Sequence, residues 1–150
     1  MAVEIERKFL VSGHWPRERS CAAVRIDQGY LPLDDAGVEI RVRAREGERF
    51  MTVKGGTGLA RTEWEQPVPA AVFDLLWPLT AGRRITKLRH AVPVGRLTAE
   101  VDVFLGELSG LTIVEVEFAD TADADAFTAP DWFGTEVTAR KEYRNRALAR

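Results

Sequence analysis

The chain has 150 residues, a formal net charge of −2, 29% charged and 45% hydrophobic residues, which is the balance of one soluble globular domain over residues 1–150. So small a net charge excludes a global pull toward nucleic acid or an anionic membrane, and any anion site has to come from local clustering. One cysteine, Cys21, and two histidines, His14 and His90, exclude an internal disulfide and a Cys- or His-built zinc site, leaving carboxylates and hard cations such as Mg²⁺ or Mn²⁺ as the metal chemistry.

Residues 3–10 read as the first strand, with Glu4, Glu6 and Lys8 on one face by two-residue alternation. After a polar turn containing Trp15-Pro16, residues 21–31 read as a second strand and residues 32–37, with Asp34-Asp35, as a loop. Residues 38–45 alternate cleanly, with Val38, Ile40, Val42 and Ala44 on one face and Glu39, Arg41, Arg43 and Arg45 on the other. Residues 50–54 form a short strand carrying Lys54. The glycine run at 55–58 lacks the G-x-x-x-x-G-K-[ST] spacing of a phosphate loop and reads as a mobile hairpin connection.

Residues 61–68 make a fifth strand, with Arg61, Glu63 and Glu65 in phase and prolines at 67 and 69 breaking it. Residues 70–80 are predicted as an amphipathic helix with an apolar stripe of Val72, Phe73, Leu75, Leu76 and Leu79, and with Pro78 near its end. Three further strands follow: residues 84–92 with Lys87 and Arg89 in phase, 97–105 with Glu100 and Asp102, and 111–118 with Glu115 and Glu117. Residues 119–129 read as a short helix, 135–138 as a last short strand and 141–150 as a basic C-terminal helix. No apolar run approaches membrane-spanning length and no secretory signal is visible, so the expected location is cytoplasmic.

The i, i+2 charges add up to eight acids and seven bases. Two like charges ~7 Å apart on one strand face repel by about 2 kcal/mol at an effective dielectric near 20. A solubilising face mixes signs, whereas same-sign pairs dominate here. On the inner wall of a closed sheet, acid rows facing base rows provide part of the neutralisation, and a divalent cation with a polyanion provides the rest. The expected fold is α+β but mainly β: a closed antiparallel barrel with a polar, ligand-holding lumen and helices on its outer face.

Glu4-Ile5-Glu6-Arg7-Lys8 matches the N-terminal ExExK signature of the CYTH superfamily, the triphosphate tunnel metalloenzymes. The match continues through Gly29-Tyr30-Leu31, Arg41-Val42-Arg43, Thr52-Val53-Lys54-Gly55, Arg61-Thr62-Glu63-Trp64-Glu65, Lys87-Leu88-Arg89, the stretch from Glu100 to Phe104, Glu115-Val116-Glu117, and Glu136-Val137-Thr138 with Tyr143 and Asn145. The chain most resembles the short bacterial members, which look like inorganic tripolyphosphatases. The resemblance implies an eight-stranded tunnel and Mg²⁺- or Mn²⁺-dependent hydrolysis of a triphosphate, with two metal ions per site. Its partner would be a small-molecule triphosphate, with neither nucleic acid nor membrane; a homodimer is the further option.

On this reading, Lys8, Arg41, Arg43, Lys54, Arg61, Lys87 and Arg89 bind the phosphates, and Glu4, Glu6, Asp102, Glu115 and Glu117 hold the metal. Lys8, Glu63, Glu65 and Tyr143 act in the chemistry, Tyr143 from a C-terminal helix at one tunnel mouth. The alternatives are a class IV-type adenylate cyclase, a thiamine triphosphatase and, from a different class, a non-catalytic module that binds polyphosphate or another polyanion.

Overall fold

Each long strand of this chain has a charged face and an apolar face, and a closed sheet buries both. The computed structural model describes residues 2–33, 37–56 and 59–150. Its strands are β1 (Ala2–Leu10), β2 (Val24–Tyr30), β3 (Val38–Arg45), β4 (Glu48–Gly55), β5 (Ala60–Pro67), β6 (Arg84–Val94), β7 (Leu97–Phe104) and β8 (Thr112–Phe118). They form a closed antiparallel barrel in the order β1-β5-β4-β3-β2-β6-β7-β8. Sequence neighbours pair from β2 to β5 and from β6 to β8; the remaining pairings join β1 to β5 and β8, and β2 to β6.

Register fixes which residues look inward. Glu6 lies opposite Glu117, Lys8 opposite Glu115, Lys54 opposite Glu63, and Arg89 opposite Asp102. The apolar partners of these residues face outward. Ile5, Phe9, Val92, Val101, Val114, Val116 and Phe118 pack there with Trp15, Phe133 and Ala124 into the main core. Ala124 belongs to α2 (Thr121–Ala126), whose first turn is capped by Asp120 accepting from the Asp123 N–H.

The inner wall is not charged along its whole length. At the end where β2 finishes and β6 begins, Tyr30, Ile85, Phe104 and Ile113 pack with Leu148, with Leu10, Leu111 and Tyr143 against them. This apolar stopper fills the β1, β2, β6, β7 and β8 side of that end, while Glu39, Arg61 and Arg144 line a second cavity on its β3 and β5 side.

Several segments differ from the sequence expectation. The second strand begins at Val24, not at residue 21, and the fourth spans Glu48–Gly55 rather than residues 50–54. The predicted helix at 70–80 is α1 (Ala70–Leu76) followed by a 3-10 turn at Trp77–Thr80; Pro78 has no N–H to continue the α ladder. Residues 135–138 form no strand but an isolated bridge, Phe9 to Glu136, on the part of β1 that β5 leaves unpaired. The basic C-terminal helix is replaced by a 3-10 turn at Lys141–Tyr143 and the one-turn α3 (Asn145–Leu148). Its arginines explain why. Arg146 donates to the Leu33 and Val38 carbonyls, and the Arg150 backbone bonds both ways with Arg84, so the segment is drawn out as a strap across the stoppered end. Asp34, Asp35, Thr57 and Gly58, in the predicted loop and glycine hairpin, lie outside the described residues. Among the described residues no helix is long and apolar enough to cross a membrane.

Gly29 lets the 3-10 turn seat on β2. A Cβ there would lie 2.5 Å from Thr80, which is fully buried and itself donates to the Trp77 carbonyl and accepts from Arg84. Gly29→Ala should therefore destabilise the barrel by about 1–3 kcal/mol, read as a lower midpoint in urea unfolding. An unchanged midpoint would show that Thr80 moves aside freely.

Candidate active site

The charged inward faces enclose a tunnel cavity of about 180 Å³. β1 supplies Glu4, Glu6 and Lys8, β3 supplies Glu39, Arg41, Arg43 and Arg45, β4 supplies Lys54, and β5 supplies Arg61, Glu63 and Glu65. Lys87 and Arg89 come from β6, Glu100 from β7, and Glu115 and Glu117 from β8. β2 brings no charge to the wall; its Tyr30 hydroxyl lines the cavity and accepts from Gln28 at 2.8 Å.

Two residues singled out from sequence stand elsewhere. Asp102 is completely buried beneath the wall, with both oxygens engaged by bases. The Tyr143 ring packs against the apolar stopper, and only its carbonyl meets the tunnel, accepting from the Lys8 ammonium at 3.3 Å. Sequence reasoning also left out Tyr30, Glu39, Arg45, Thr138, Arg144 and Asn145, which line the cavity. Glu39 and Arg45 were legible from the β3 alternation, and Tyr30, Thr138 and Asn145 lie in the matched stretches without a role assigned to them; Arg144 carried no signal, because a strap has no period.

Most of the bases neutralise carboxylates. Lys54 bridges Glu4 at 2.7 Å and Glu63 at 3.3 Å. One oxygen of Glu65 accepts from Thr52 at 2.7 Å and from both Arg41 and Arg43 at 3.3 Å. Lys87 donates to Asp102 at 2.6 Å, and Arg89 grips it with two nitrogens at 2.7 and 2.8 Å. Arg89 also reaches Glu100 at 2.9 Å. Lys8 faces Glu115 at 3.4 Å, and Arg61 faces Glu39 at 3.4 Å.

These pairs set the protonation states. Burial opposes charge on Asp102 and Glu115, but Arg89 and Lys87 on the first, and Lys8, Arg89 and Lys87 on the second, hold both carboxyls below the usual carboxylate range. Burial also raises Glu65, yet Thr52, Arg43 and Arg41 leave it net lowered. Burial pushes the Lys87 ammonium down to about 8 against the pull of Asp102. Burial, together with Arg41, Arg89 and Arg45, brings Arg43 down to about 10. Charges of both signs are thus packed against one another along the tunnel, and its arginines and lysines could receive a multiply charged anion.

Glu6 and Glu117 are different. They are cross-strand partners on β1 and β8, and neither has a base within ion-pair distance among the described residues. Burial, then Glu115 and Glu4, push Glu6 up to about 8, while burial, Glu4, Glu100 and Glu63 raise Glu117. Glu6 is half-buried and Glu117 exposed, yet both carboxyls sit above the ordinary carboxylate value, and a neighbouring cation would favour their ionised forms. Among the described residues no three carboxylates, imidazoles or thiols are already gathered around one point. Mg²⁺ commonly takes one or two carboxylates and fills its remaining positions with water and substrate phosphate oxygens, so an all-oxygen pair such as Glu6 and Glu117 fits that group.

The sign of the pH dependence follows. For an acid whose folded pKa is raised, the folded state holds a proton that the unfolded chain releases, so stability falls as pH climbs from the ordinary 4.5 toward about 8. The depressed acids, Asp102, Glu115 and Glu65, are ionised in the folded state throughout that window, so their own slope, of opposite sign, is confined to its acidic edge near the ordinary carboxylate values. Thermal midpoints taken in EDTA should drop across it, and Mg²⁺ should flatten the drop. A flat profile in EDTA would show that Glu6 is already ionised.

A family model described as CYTH domain matches residues 2–145. An inorganic triphosphatase of Nitrosomonas europaea is 47% identical over 97% of this chain and 96% of its own. An inorganic triphosphatase of Acetivibrio thermocellus is 38% identical over 100% of this chain and 95% of its own. A crystal structure of an inorganic triphosphatase superposes with a TM-score of 0.73 at 43% identity, covering 99% of this chain and 95% of the other.

Proposed function

The chain belongs to the CYTH domain family, and from that membership we propose that it hydrolyses a triphosphate, inorganic tripolyphosphate first, to pyrophosphate and phosphate. The observation that carries the reading is the Glu6–Glu117 acid pair, without a base among the described residues, set in a tunnel whose other acids are paired with arginines and lysines. A plain anion binder would have no use for two wall acids without counter-ions, whereas a metal–triphosphate complex satisfies acids and bases together. The relatives named as inorganic triphosphatases support the same substrate class.

In this mechanism Arg41, Arg43, Lys54, Lys87 and Arg89 hold the non-bridging oxygens. The arginines offer bidentate edges and the lysines point charges. Lys8 and Arg61 flank them on β1 and β5. Glu6 and Glu117 would hold Mg²⁺ or Mn²⁺, with Glu4 and Glu115 available once phosphate has taken Lys54 and Lys8 from them. The bound ion would neutralise phosphate charge and acidify a water. Water adds to a terminal phosphorus, the P–O bond to the bridging oxygen breaks, and pyrophosphate leaves. Charge spreads over the transferring phosphoryl oxygens, so the fixed guanidiniums and ammoniums provide much of the stabilisation.

Glu63 orients the water from its place beside Lys54. Glu65, held low by Thr52 and two arginines, is a poor base and instead sets the arginine geometry. Asp102 does the same for Lys87 and Arg89, and Tyr143 braces the closed end.

The testing experiment is phosphate release from tripolyphosphate, ATP and pyrophosphate, each with Mg²⁺, Mn²⁺ or EDTA. Metal-dependent release from tripolyphosphate, with little from ATP, is expected. Cyclic AMP and pyrophosphate from ATP would move the assignment to a cyclase. Tight tripolyphosphate binding without turnover would leave a binding module.

A further inference from the structure

A second cavity, of about 330 Å³, lies beside the apolar stopper, where β3 and β5 meet the C-terminal strap. Its charged lining is Glu39, Arg61, Lys141, Arg144 and Arg146, so cations outnumber the one carboxylate four to one. The tunnel is nearly balanced by comparison, with eight carboxylates and nine cations on its wall. An anion that enters the tunnel displaces acids from their bases, and a divalent cation has to satisfy them. An anion that enters the strap cavity has no such need.

The cations of this cavity differ in how far they are engaged. Arg146 donates to the Leu33 and Val38 carbonyls, which hold its guanidinium in place without neutralising it. Arg61 donates to the Gly56 carbonyl and faces the buried Glu39 at 3.4 Å. Lys141 and Arg144 have no carboxylate at ion-pair distance among the described residues, and Glu142, the acid beside Lys141, is paired with Arg140.

This set of groups defines the ligand. Lys141, Arg144 and Arg61 are donors for bare oxygens, and an ammonium and guanidiniums suit phosphate. Glu39 accepts, so the ligand has to bring a proton for it. A phosphate group that keeps one proton meets both demands. Sulfate, with no proton near neutral pH, would set a bare oxygen against the Glu39 carboxylate.

We propose that the strap cavity is a second anion site, which takes a singly protonated phosphate group, needs no metal, and acts on the tunnel through Arg61 and Arg144. Glu39, Arg61 and Arg144 line both cavities. A phosphate that draws Arg61 and Arg144 toward the strap takes them from a tunnel ligand, so each site weakens the other by the same factor. The site itself stands on the cavity. Its regulatory part deepens the triphosphate reading and rests on it, since phosphate is then a product of the tunnel's reaction. Val38 and Ala147 give the cavity an apolar wall beyond the cations, so the phosphate is either the free ion or the end of a monoester.

The test is calorimetric titration in EDTA at fixed ionic strength, with orthophosphate, sulfate and AMP as probes. Orthophosphate should bind the parent chain without metal and in preference to sulfate. Lys141→Gln should weaken it about tenfold, the size of one charged hydrogen bond, and Arg144→Gln should act alike. Arg41→Gln, in the tunnel, should leave it unchanged, and Glu39→Gln should abolish the preference over sulfate. AMP that binds more tightly than orthophosphate, with the same dependence on Lys141, supports the site and makes its ligand a monoester; weaker AMP supports it with the free ion. No binding in EDTA overturns the proposal. So does binding that is lost in Arg41→Gln and kept in Lys141→Gln, which would put the phosphate in the tunnel. Lys141 is exposed, and its variant should unfold at the parent's midpoint.

Pyrophosphate formation from tripolyphosphate with Mg²⁺ reads the coupling. Added orthophosphate should raise KM to a plateau in the parent, and Lys141→Gln should lose that effect while keeping the parent's kcat. A rise without a plateau, unaltered in Lys141→Gln, is competition inside the tunnel and overturns the coupling. If the parent does not turn over tripolyphosphate while its orthophosphate binding still depends on Lys141, the triphosphate reading fails and the site stands.

Discussion

Replacing Glu6 and Glu117 together with glutamine should lower metal-dependent phosphate release from tripolyphosphate about a thousandfold, the upper range for removing one electrostatic element of an active site, and should leave the fold intact. Most wall acids cannot be tested this cleanly. Glu4→Gln releases Lys54 from its shortest ion pair, and Glu65→Gln unties Arg41 and Arg43. Glu6 and Glu117 hold no base among the described residues, and Glu6, pushed up to about 8, already carries a proton at neutral pH without a metal. Glutamine reproduces that protonated form in shape and charge. The double variant should therefore unfold in EDTA at the same midpoint as the parent or slightly above it, and should lose the extra stability that Mg²⁺ confers. Calorimetric titration with Mg²⁺ in the presence of pyrophosphate should show the binding heat gone. Turnover within tenfold of the parent would remove these two acids from the metal site and leave Glu4 and Glu115 as its holders.

Asp102→Ala should cost about 3–5 kcal/mol of folding stability, because it strands two buried cations. Its carboxylate is fully buried and accepts three short bonds, one from Lys87 and two from Arg89. For a chain of this length the loss corresponds to a fall on the order of 10 °C in thermal midpoint. pH supplies an independent check. The folded pKa of Asp102 is depressed, so its contribution is complete above the ordinary value of 3.8 and is lost as pH falls through the lower folded value. In the parent, stability should fall on acidification below that point, and in Asp102→Asn part of that fall should be missing. The same variant decides what the residue does. If Asp102 only positions Lys87 and Arg89, Asp102→Asn keeps Mg²⁺ affinity and raises KM; a large loss of Mg²⁺ affinity would make it a metal ligand.

Asp102 also marks where the sequence stops being informative. Period-two alternation placed Glu4, Glu6, Lys8, Arg41, Arg43, Lys54, Lys87, Arg89, Glu115 and Glu117 on one inner wall, because register in a closed sheet leaves a side chain only two directions. Alternation cannot say how deep along that direction a group ends. Glu100 and Asp102 are in phase on one strand, yet Glu100 reaches the cavity and the shorter Asp102 stays beneath Lys87 and Arg89. Nor does alternation distinguish a paired charge from an unpaired one. The rows looked alike, and only three-dimensional register left Glu6 and Glu117 without bases. The C-terminal segment was misread for a related reason. Its arginines resembled the solvated face of a helix, but Arg146 and Arg150 are spent on distant backbone groups, and those tethers outweigh the helical propensity of a short tail.

The pairing of β1 has a kinetic consequence. β2–β3, β3–β4, β4–β5, β6–β7 and β7–β8 are sequence-neighbour pairs that can zip as soon as they leave the ribosome. β1 is synthesised first, and its partners are β5 and β8, so most of its edge waits until Thr112–Phe118 has appeared. Such distant closure makes for slow folding. It also means that Glu6 and Glu117, which come from the two sides of that last seam, meet only when the barrel shuts. A partly folded chain would carry every wall base of β3, β4 and β6 without this acid pair. Nascent molecules could therefore hold polyanions before they could hydrolyse them.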